Sequence, residues 1–175
     1  MPISPDTKDW TWVLEKPCPE CGFEAGSLAL DDIGQALRDN ARIWVDQVLP
    51  RADVRQRPDN RTWSALEYAC HVRDVFRLYT LRLDLMLTEE DPDFANWDQD
   101  ETAIIERYAE QDPGTVAGEL AEAADILADR FDRVDGDEWE RTGNRSDGAR
   151  FTIDTFGRYL VHDPVHHLYD VRRAV

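Results

Sequence analysis

The chain has 175 residues and a net charge of −17, with 37 acidic side chains against 20 lysines and arginines. Because nucleic acids and anionic membranes are bound through Lys and Arg, this charge argues against both as partners. No apolar run approaches the roughly 20 residues of a membrane span, and the N-terminus lacks an apolar signal-peptide core. A cytoplasmic protein is therefore expected.

Residues 1–27 are interrupted by Pro and Gly and predict an irregular N-terminal extension, which should dock on the rest of the chain through its aromatic side chains. Helical periodicity begins near Leu30, and Pro50 ends the first predicted helix. After a polar loop, a second helix begins at Ser64. The Ser64 hydroxyl and the Glu67 carboxylate have the spacing of a capping box.

A short helix is expected within residues 100–111, in the connection that follows the second long helix. Asp112 with the next proline is typical of a helix start, and the apolar stripe behind it is the most regular in the sequence. We find no convincing alternating strand pattern. The helical periodicity predicts an all-α four-helix bundle over residues 28–175. Its long helices are expected at about residues 30–49, 64–91, 112–134 and 152–172.

Three of the four histidines fall in the segment "YLVHDPVHHLYDV", residues 159–171. His162 and His166 are four residues apart, so on a helix they share one face and can bind one metal ion. His71 lies on the flank of the second helix's apolar face, from which it can reach that pair. Three imidazoles with open positions are typical of a catalytic metal site. The alternative is that these histidines only pack. His167 is rotated by about 100° from His166 and is assigned to the surroundings.

Several residues near the expected ligands are candidates for orienting them or for walling a pocket. Carboxylates close in sequence can accept the far N–H of a ligating imidazole. A proline between the two ligand histidines, Pro164, predicts a bend that changes their relative aim. The candidates for these surroundings are His167, Asp163, Glu67, Tyr169, Trp97 and Asp98.

The three cysteines have no assigned role. Cys18 and Cys21 have the C-x-x-C spacing of a zinc knuckle or a redox pair, but a zinc site needs two more ligands and no second C-x-x-C occurs. Cys70 lies on a secondary apolar stripe, where the extension could bring three thiols together. Reduced structural cysteines, a redox pair and a second metal site are all kept as alternatives.

The motifs "WSALEYACHVRD" and "HDPVHH" together resemble the DinB-like bacterial four-helix bundles, over about residues 28–175. That family includes thiol-dependent enzymes such as mycothiol-dependent maleylpyruvate isomerase. The resemblance implies a divalent metal ion, zinc or nickel, held by His71, His162 and His166. The proline of "HDPVHH" departs from the family pattern, and the extension resembles one found in a subset of actinobacterial members.

The resemblance also implies an activity. The metal ion would activate a low-molecular-weight thiol, such as mycothiol, against an electrophilic substrate, which makes the chain a thiol S-transferase or isomerase. Arg73 and Arg158 are candidates for holding a carboxylate of the thiol. The sequence identifies neither a catalytic residue nor the substrate, and a homodimer is compatible with it. The alternative function is a non-catalytic, stress-related bundle that binds a metal or a small ligand.

Overall fold

A computed structural model describes residues 9–173, and four long helices dominate it, as the sequence predicts. The first predicted helix starts with a 3₁₀ turn and ends in a π-helical turn, Trp44–Val48. Residues 1–8 of the predicted extension and residues 174–175 of the predicted bundle lie outside the described part. The helices are α1 (Ile33–Ile43), α2 (Ala65–Thr88), α3 (Gln99–Ile105), α4 (Pro113–Phe131) and α5 (Ile153–Arg173).

The bundle core forms where the apolar faces of the long helices meet. Helix α4 packs against α1 and α2, and α5 also packs against both of these helices. Leu120, Leu127 and Phe131 recur on one face of α4, and all three are buried. Trp44 of the π-helical turn after α1 and Phe76 of α2 fill the same core and are fully buried.

Two helix starts are fixed by the side chains that the sequence indicated. The Glu67 backbone N–H donates to the Ser64 hydroxyl at 3.2 Å, and the Glu67 carboxylate accepts from the Ser64 N–H at 2.9 Å. This reciprocal pair begins α2. The Asp112 carboxylate accepts from the Thr115 N–H at 2.8 Å and begins α4.

A small three-stranded sheet joins the connections at one end of the bundle. It consists of β1 (Asp93–Phe94), β2 (Thr142–Arg145) and β3 (Arg150–Thr152). The sequence shows no strand pattern at these residues. β2 pairs in parallel with β1 and antiparallel with β3. The strands have four residues at most, which is too short for an alternating pattern to stand out.

Residues 9–27 lie against α5. They form two 3₁₀ turns, Thr11–Leu14 and Ala25–Ser27, and the side chain of Val13 is fully buried. Arg158 of α5 donates to the backbone carbonyl of Ala25 at 2.6 Å. The described part of the extension is thus held by apolar burial and by hydrogen bonds from α5.

Gly157 of α5 marks a close approach between helices. A Cβ placed there would lie 2.8 Å from Ile33 Cδ1 and 2.9 Å from Phe131 Cε1. We expect Gly157→Ala to lower the free energy of unfolding by about 1–3 kcal/mol, because the extra methyl overpacks the core. Gly118→Ala is the matched control: Gly118 is exposed on α4 with open space around it, so this change should stabilise the protein by up to about 1 kcal/mol. Urea denaturation of both variants measures the difference, and equal effects would contradict this packing.

Candidate functional site

A cavity of about 830 Å³ opens between α2, α5, the segment before α3 and the start of the extension. Its wall combines aromatic rings, charged side chains and four histidines. The cavity is within the roughly 300–1,000 Å³ that is usual for small-molecule sites. Among the residues that line the cavity are Trp10, Trp63, His71, Tyr79, Arg82, Trp97, Asp98, Asp100, Arg145, Tyr159, His162, Asp163, His166, His167 and Asp170.

Three cavity residues form a compact group of possible metal ligands, which we call the cavity cluster: His71, Asp163 and His167. One ligand atom from each lies within 4.8 Å of the others. His71 Nε2 is 3.3 Å from Asp163 Oδ1, and His167 Nε2 is 3.5 Å from Asp163 Oδ2. Asp163 and His167 are four residues apart on α5, so they share the face that meets His71 of α2.

The cavity cluster fits a divalent metal ion. Nδ1 of His71 is buried and has no hydrogen-bond partner among the described residues, and Nε2 of His71 and Oδ1 of Asp163 are buried 3.3 Å apart without hydrogen-bond geometry. Such atoms are costly unless something binds them. Two imidazoles and one carboxylate also form a ligand set that zinc uses in catalytic sites, where a further position stays open.

Charge and hydrogen bonding arrange the α5 side of this cluster. Burial disfavours the charged forms of Asp163 and His167, but their mutual attraction outweighs it. It lowers the pKa of Asp163 well below its ordinary value and raises the pKa of His167 to about 9. Asp170 Oδ2 lies 3.2 Å from His167 Nδ1, and this contact orients the ring with Nε2 toward Asp163. A metal ion bound by His167 would have to displace the second ring proton of its imidazolium form.

A second group, which we call the anchor cluster, lies on the neighbouring face of α5. Its four ligand atoms are all within 4.8 Å of one another. Cys18 Sγ is 3.6 Å from His166 Nδ1, and the rings of His162 and His166 are 5.1 Å apart. Burial and, to a lesser extent, the charge of the adjacent His166 lower the pKa of His162 to about 4. The members of the anchor cluster are Cys18, Cys21, His162 and His166.

The structure divides the predicted triad of His71, His162 and His166 between these two clusters. His162 and His166 do share a face, and α5 continues through Pro164 without a break. That face meets the extension, whereas His71 meets the face of Asp163 and His167, one residue further along. Reasoning from histidines alone therefore placed Asp163 and His167 in the surroundings. The Asp-x-x-x-His spacing could have suggested them, but such spacings are common in an acidic chain.

The other predicted site residues are placed as follows. The Trp97 ring stacks on the His71 ring at 5.4 Å with an interplanar angle of 8°, and Asp98 caps α3 at the cavity edge. Tyr169 lies beside the His166 ring at 5.9 Å. Glu67 does not orient a histidine of either cluster, since its carboxylate pairs with Arg57 and with the cap of α2.

Cys70 is separate from the other two cysteines. Its thiol is buried 3.9 Å from the Tyr108 carbonyl oxygen, and burial raises its pKa to about 12. The possible meeting of three thiols is not observed, since Cys18 and Cys21 lie with His162 and His166. Arg73 and Arg158 are also engaged elsewhere, since Arg73 pairs with Glu119 at 2.7 Å and Arg158 binds the extension.

Sequence reasoning missed two arginines that line the cavity, Arg82 and Arg145. Arg82 is buried, and its guanidinium lies 4.9 Å from the Phe94 ring centre and donates to the Ala95 carbonyl at 2.7 Å. No carboxylate pairs with it among the described residues. Arg145 pairs with Asp147 at 2.8 Å. Arg82 lies on α2 eleven residues after His71, a spacing that places both on nearly the same face of the helix and could have indicated it. Arg145 ends the short strand β2, which carries no periodic signal relating it to the histidines.

Comparisons with known proteins agree with this architecture. The family model of the DinB superfamily matches residues 35–171. Among solved structures, YfiT from Bacillus subtilis is similar, with a TM-score of 0.72 over 90% of this chain and 91% of that one, at 18% identity. YfiT is described as a probable metal-dependent hydrolase with an unusual four-helix bundle topology. No curated protein matches the sequence.

Proposed function

The chain belongs to the DinB superfamily, and on that premise we propose that it is a metal-dependent thiol S-transferase or isomerase. The observation that supports this most directly is the cavity cluster. It presents two imidazoles and a carboxylate, with buried atoms that make no hydrogen bond among the described residues, to a cavity of small-molecule size. His71, Asp163 and His167 are the ligands in this proposal, and zinc or nickel is the ion.

A divalent ion held by His71, Asp163 and His167 would supply Lewis acidity, which would lower the pKa of a thiol in the cavity and favour its nucleophilic thiolate form. The chain's own residues position these ligands. Asp170 holds His167 in one orientation, and Trp97 stacks on His71 and limits its movement. Trp10 and Trp63 complete an aromatic wall of the cavity.

One part of the cavity offers a place for an anionic group of the cosubstrate, although six aspartates also line the cavity. Arg82 and Arg145 lie there, and burial, together with the charge of Arg145, lowers the pKa of Arg82. A carboxylate group of a thiol would relieve that repulsion and could accept hydrogen bonds from either guanidinium. The proposed cosubstrate is mycothiol, which has no carboxylate and would offer hydroxyl oxygens to these arginines, or a carboxylate-bearing thiol such as glutathione. A small electrophile is the proposed substrate.

Hydrolysis is the second candidate function. The structural likeness to YfiT, itself described as a probable metal-dependent hydrolase, favours it. The same ligands would then activate a water molecule instead of a thiol, and the thiol would not be consumed.

A thiol-consumption assay tests the proposal. The purified chain is stripped with a chelator and reloaded with zinc or nickel. It is then mixed with an electrophile and with mycothiol, glutathione or cysteine. We expect thiol loss that depends on the metal and exceeds the uncatalysed rate for at least one thiol. Metal-dependent ester or amide cleavage without thiol loss would favour the hydrolase. Isomerisation of the electrophile that requires both metal and thiol but consumes no thiol would show the isomerase. Metal binding without any of these reactions would favour the non-catalytic alternative.

A further inference from the structure

We propose that the anchor cluster is a structural zinc site, which ties the N-terminal extension to α5 independently of the cavity cluster. Its ligands follow a C-x-x-C and an H-x-x-x-H spacing, and they come from two segments that the fold brings together. Four protein ligands close the coordination of a zinc ion, as structural sites require. The cavity cluster has three ligands and is suited to an open site.

The extension presents its two thiols on a tight turn. The Cys18 N–H donates to the Phe23 carbonyl at 2.8 Å, and the Gly22 N–H donates to the Cys18 carbonyl at 2.9 Å. Gly22 has a φ of 76°, in the left-handed region that glycine adopts without strain. This turn places the Cys18 and Cys21 side chains on the same side, toward α5.

The distances fit a tetrahedral ion. With Zn–S of about 2.3 Å and Zn–N of about 2.0–2.1 Å, neighbouring ligand atoms in a tetrahedron lie about 3.3–3.8 Å apart. Cys18 Sγ and His166 Nδ1 are 3.6 Å apart, and no pair of the four ligand atoms exceeds 4.8 Å. Small side-chain rotations are enough to close the remaining distances.

The surroundings of the cluster are those of a structural metal site. Cys18, His162 and His166 are each more than nine-tenths buried, and Nε2 of His162 has no hydrogen-bond partner among the described residues. The Trp10 ring lies 5.5 Å from the His162 ring, and Trp10 also packs on His166. This aromatic contact limits access of water to the ligands.

The ligand chemistry selects zinc. Two thiolates and two neutral imidazoles in a tetrahedron are a set that zinc prefers. Two thiolates also balance the charge of the ion, so a buried site carries no net charge and its desolvation is tolerable. The thiol protons are released to solvent when the ion binds.

The site would cross-link distant parts of the chain. Cys18 and His166 are 148 positions apart, so the ion would hold the extension on the last described helix. Trp10, which lines the cavity, precedes the cysteine turn and packs on both histidines. The zinc site would therefore also fix one part of the cavity wall.

X-ray absorption at the zinc edge of the His71→Ala variant, purified with reductant, tests the site with all four ligands of the anchor cluster intact. The substitution removes one ligand of the cavity cluster, so that zinc bound there does not obscure the spectrum. In that variant we expect about one zinc ion per chain with two sulfur and two nitrogen neighbours, at about 2.3 and 2.0–2.1 Å. A shell of nitrogen and oxygen only, or a disulfide between Cys18 and Cys21 in freshly purified protein, would overturn the assignment.

Cobalt substitution supplies the matched comparison. The wild type, His71→Ala and Cys70→Ser should all show the thiolate-to-cobalt charge-transfer absorption. The double variant Cys18→Ser, Cys21→Ser should lose it, while circular dichroism shows that its helices persist. Retention of the band in the double variant, or its loss in Cys70→Ser, would contradict the proposal. Because these readouts do not depend on thiol consumption, they stay decisive even if the proposed activity fails.

Discussion

Replacing Asp163 with Asn is expected to lower kcat/KM of the metal-dependent reaction by more than about 100-fold. Loss of a group that merely orients a ligand typically costs 10–100-fold, and Asp163 is proposed to be a ligand itself. The carboxylate is also what holds His71 and His167 together, at 3.3 and 3.5 Å from their ring nitrogens. The rate at saturating metal and the metal affinity by titration calorimetry measure the effect.

The matched control is Asp100→Asn, which makes the same chemical change in the same cavity, outside the cavity cluster. It should leave kcat/KM within a few fold of the wild type. His167→Ala should resemble Asp163→Asn. If His162→Ala and His166→Ala abolished the reaction while Asp163→Asn did not, the three-histidine triad expected from the sequence would be the working site.

Replacing Arg82 with Met is expected to lower kcat/KM for an anionic thiol by roughly 10- to 100-fold. A hydrogen bond to a charged group contributes about 1.5–3 kcal/mol, and Arg82 has no carboxylate partner among the described residues that would compete for it. Met keeps most of the apolar contact with the Phe94 ring. Steady-state kinetics with a carboxylate-bearing thiol and with a neutral thiol measure the difference.

The neutral thiol should be almost unaffected by Arg82→Met. Arg73→Met is the matched control because Arg73 is equally buried but pairs with Asp74 and Glu119 away from the cavity. It should destabilise the protein by leaving carboxylates unpaired, without changing the preference between the two thiols. An equal loss for both thiols in Arg82→Met would show that Arg82 acts on the fold and not on the cosubstrate.

The bundle could be predicted because its determinants are local. The apolar stripe of α4 and the capping box of Ser64 and Glu67 are readable within one helix, and both are present in the structure. The small sheet could not be predicted. β1 and β2 pair across about fifty positions, and each strand is too short to carry a pattern of its own.

The candidate site was only partly predictable. The predicted ligands lie in the same segments of α2 and α5 as the cavity cluster. Which face of α5 meets α2, however, is set by packing along the whole helix. A rotation of about 100°, one residue, exchanges His162 and His166 for Asp163 and His167. The sequence did not indicate which residues lie beside Cys18 and Cys21, for the same reason. These neighbours, His162 and His166, lie on α5 and do not form a second C-x-x-C.

Both clusters draw ligands from α5, the last helix of the described chain. During synthesis on a ribosome, Cys18, Cys21 and His71 emerge long before their partners on α5. In the two sites as proposed, neither ion could be held by its full set of ligands until α5 has left the exit tunnel and docked. Ion binding would then be a final step that stabilises only chains that have completed the bundle.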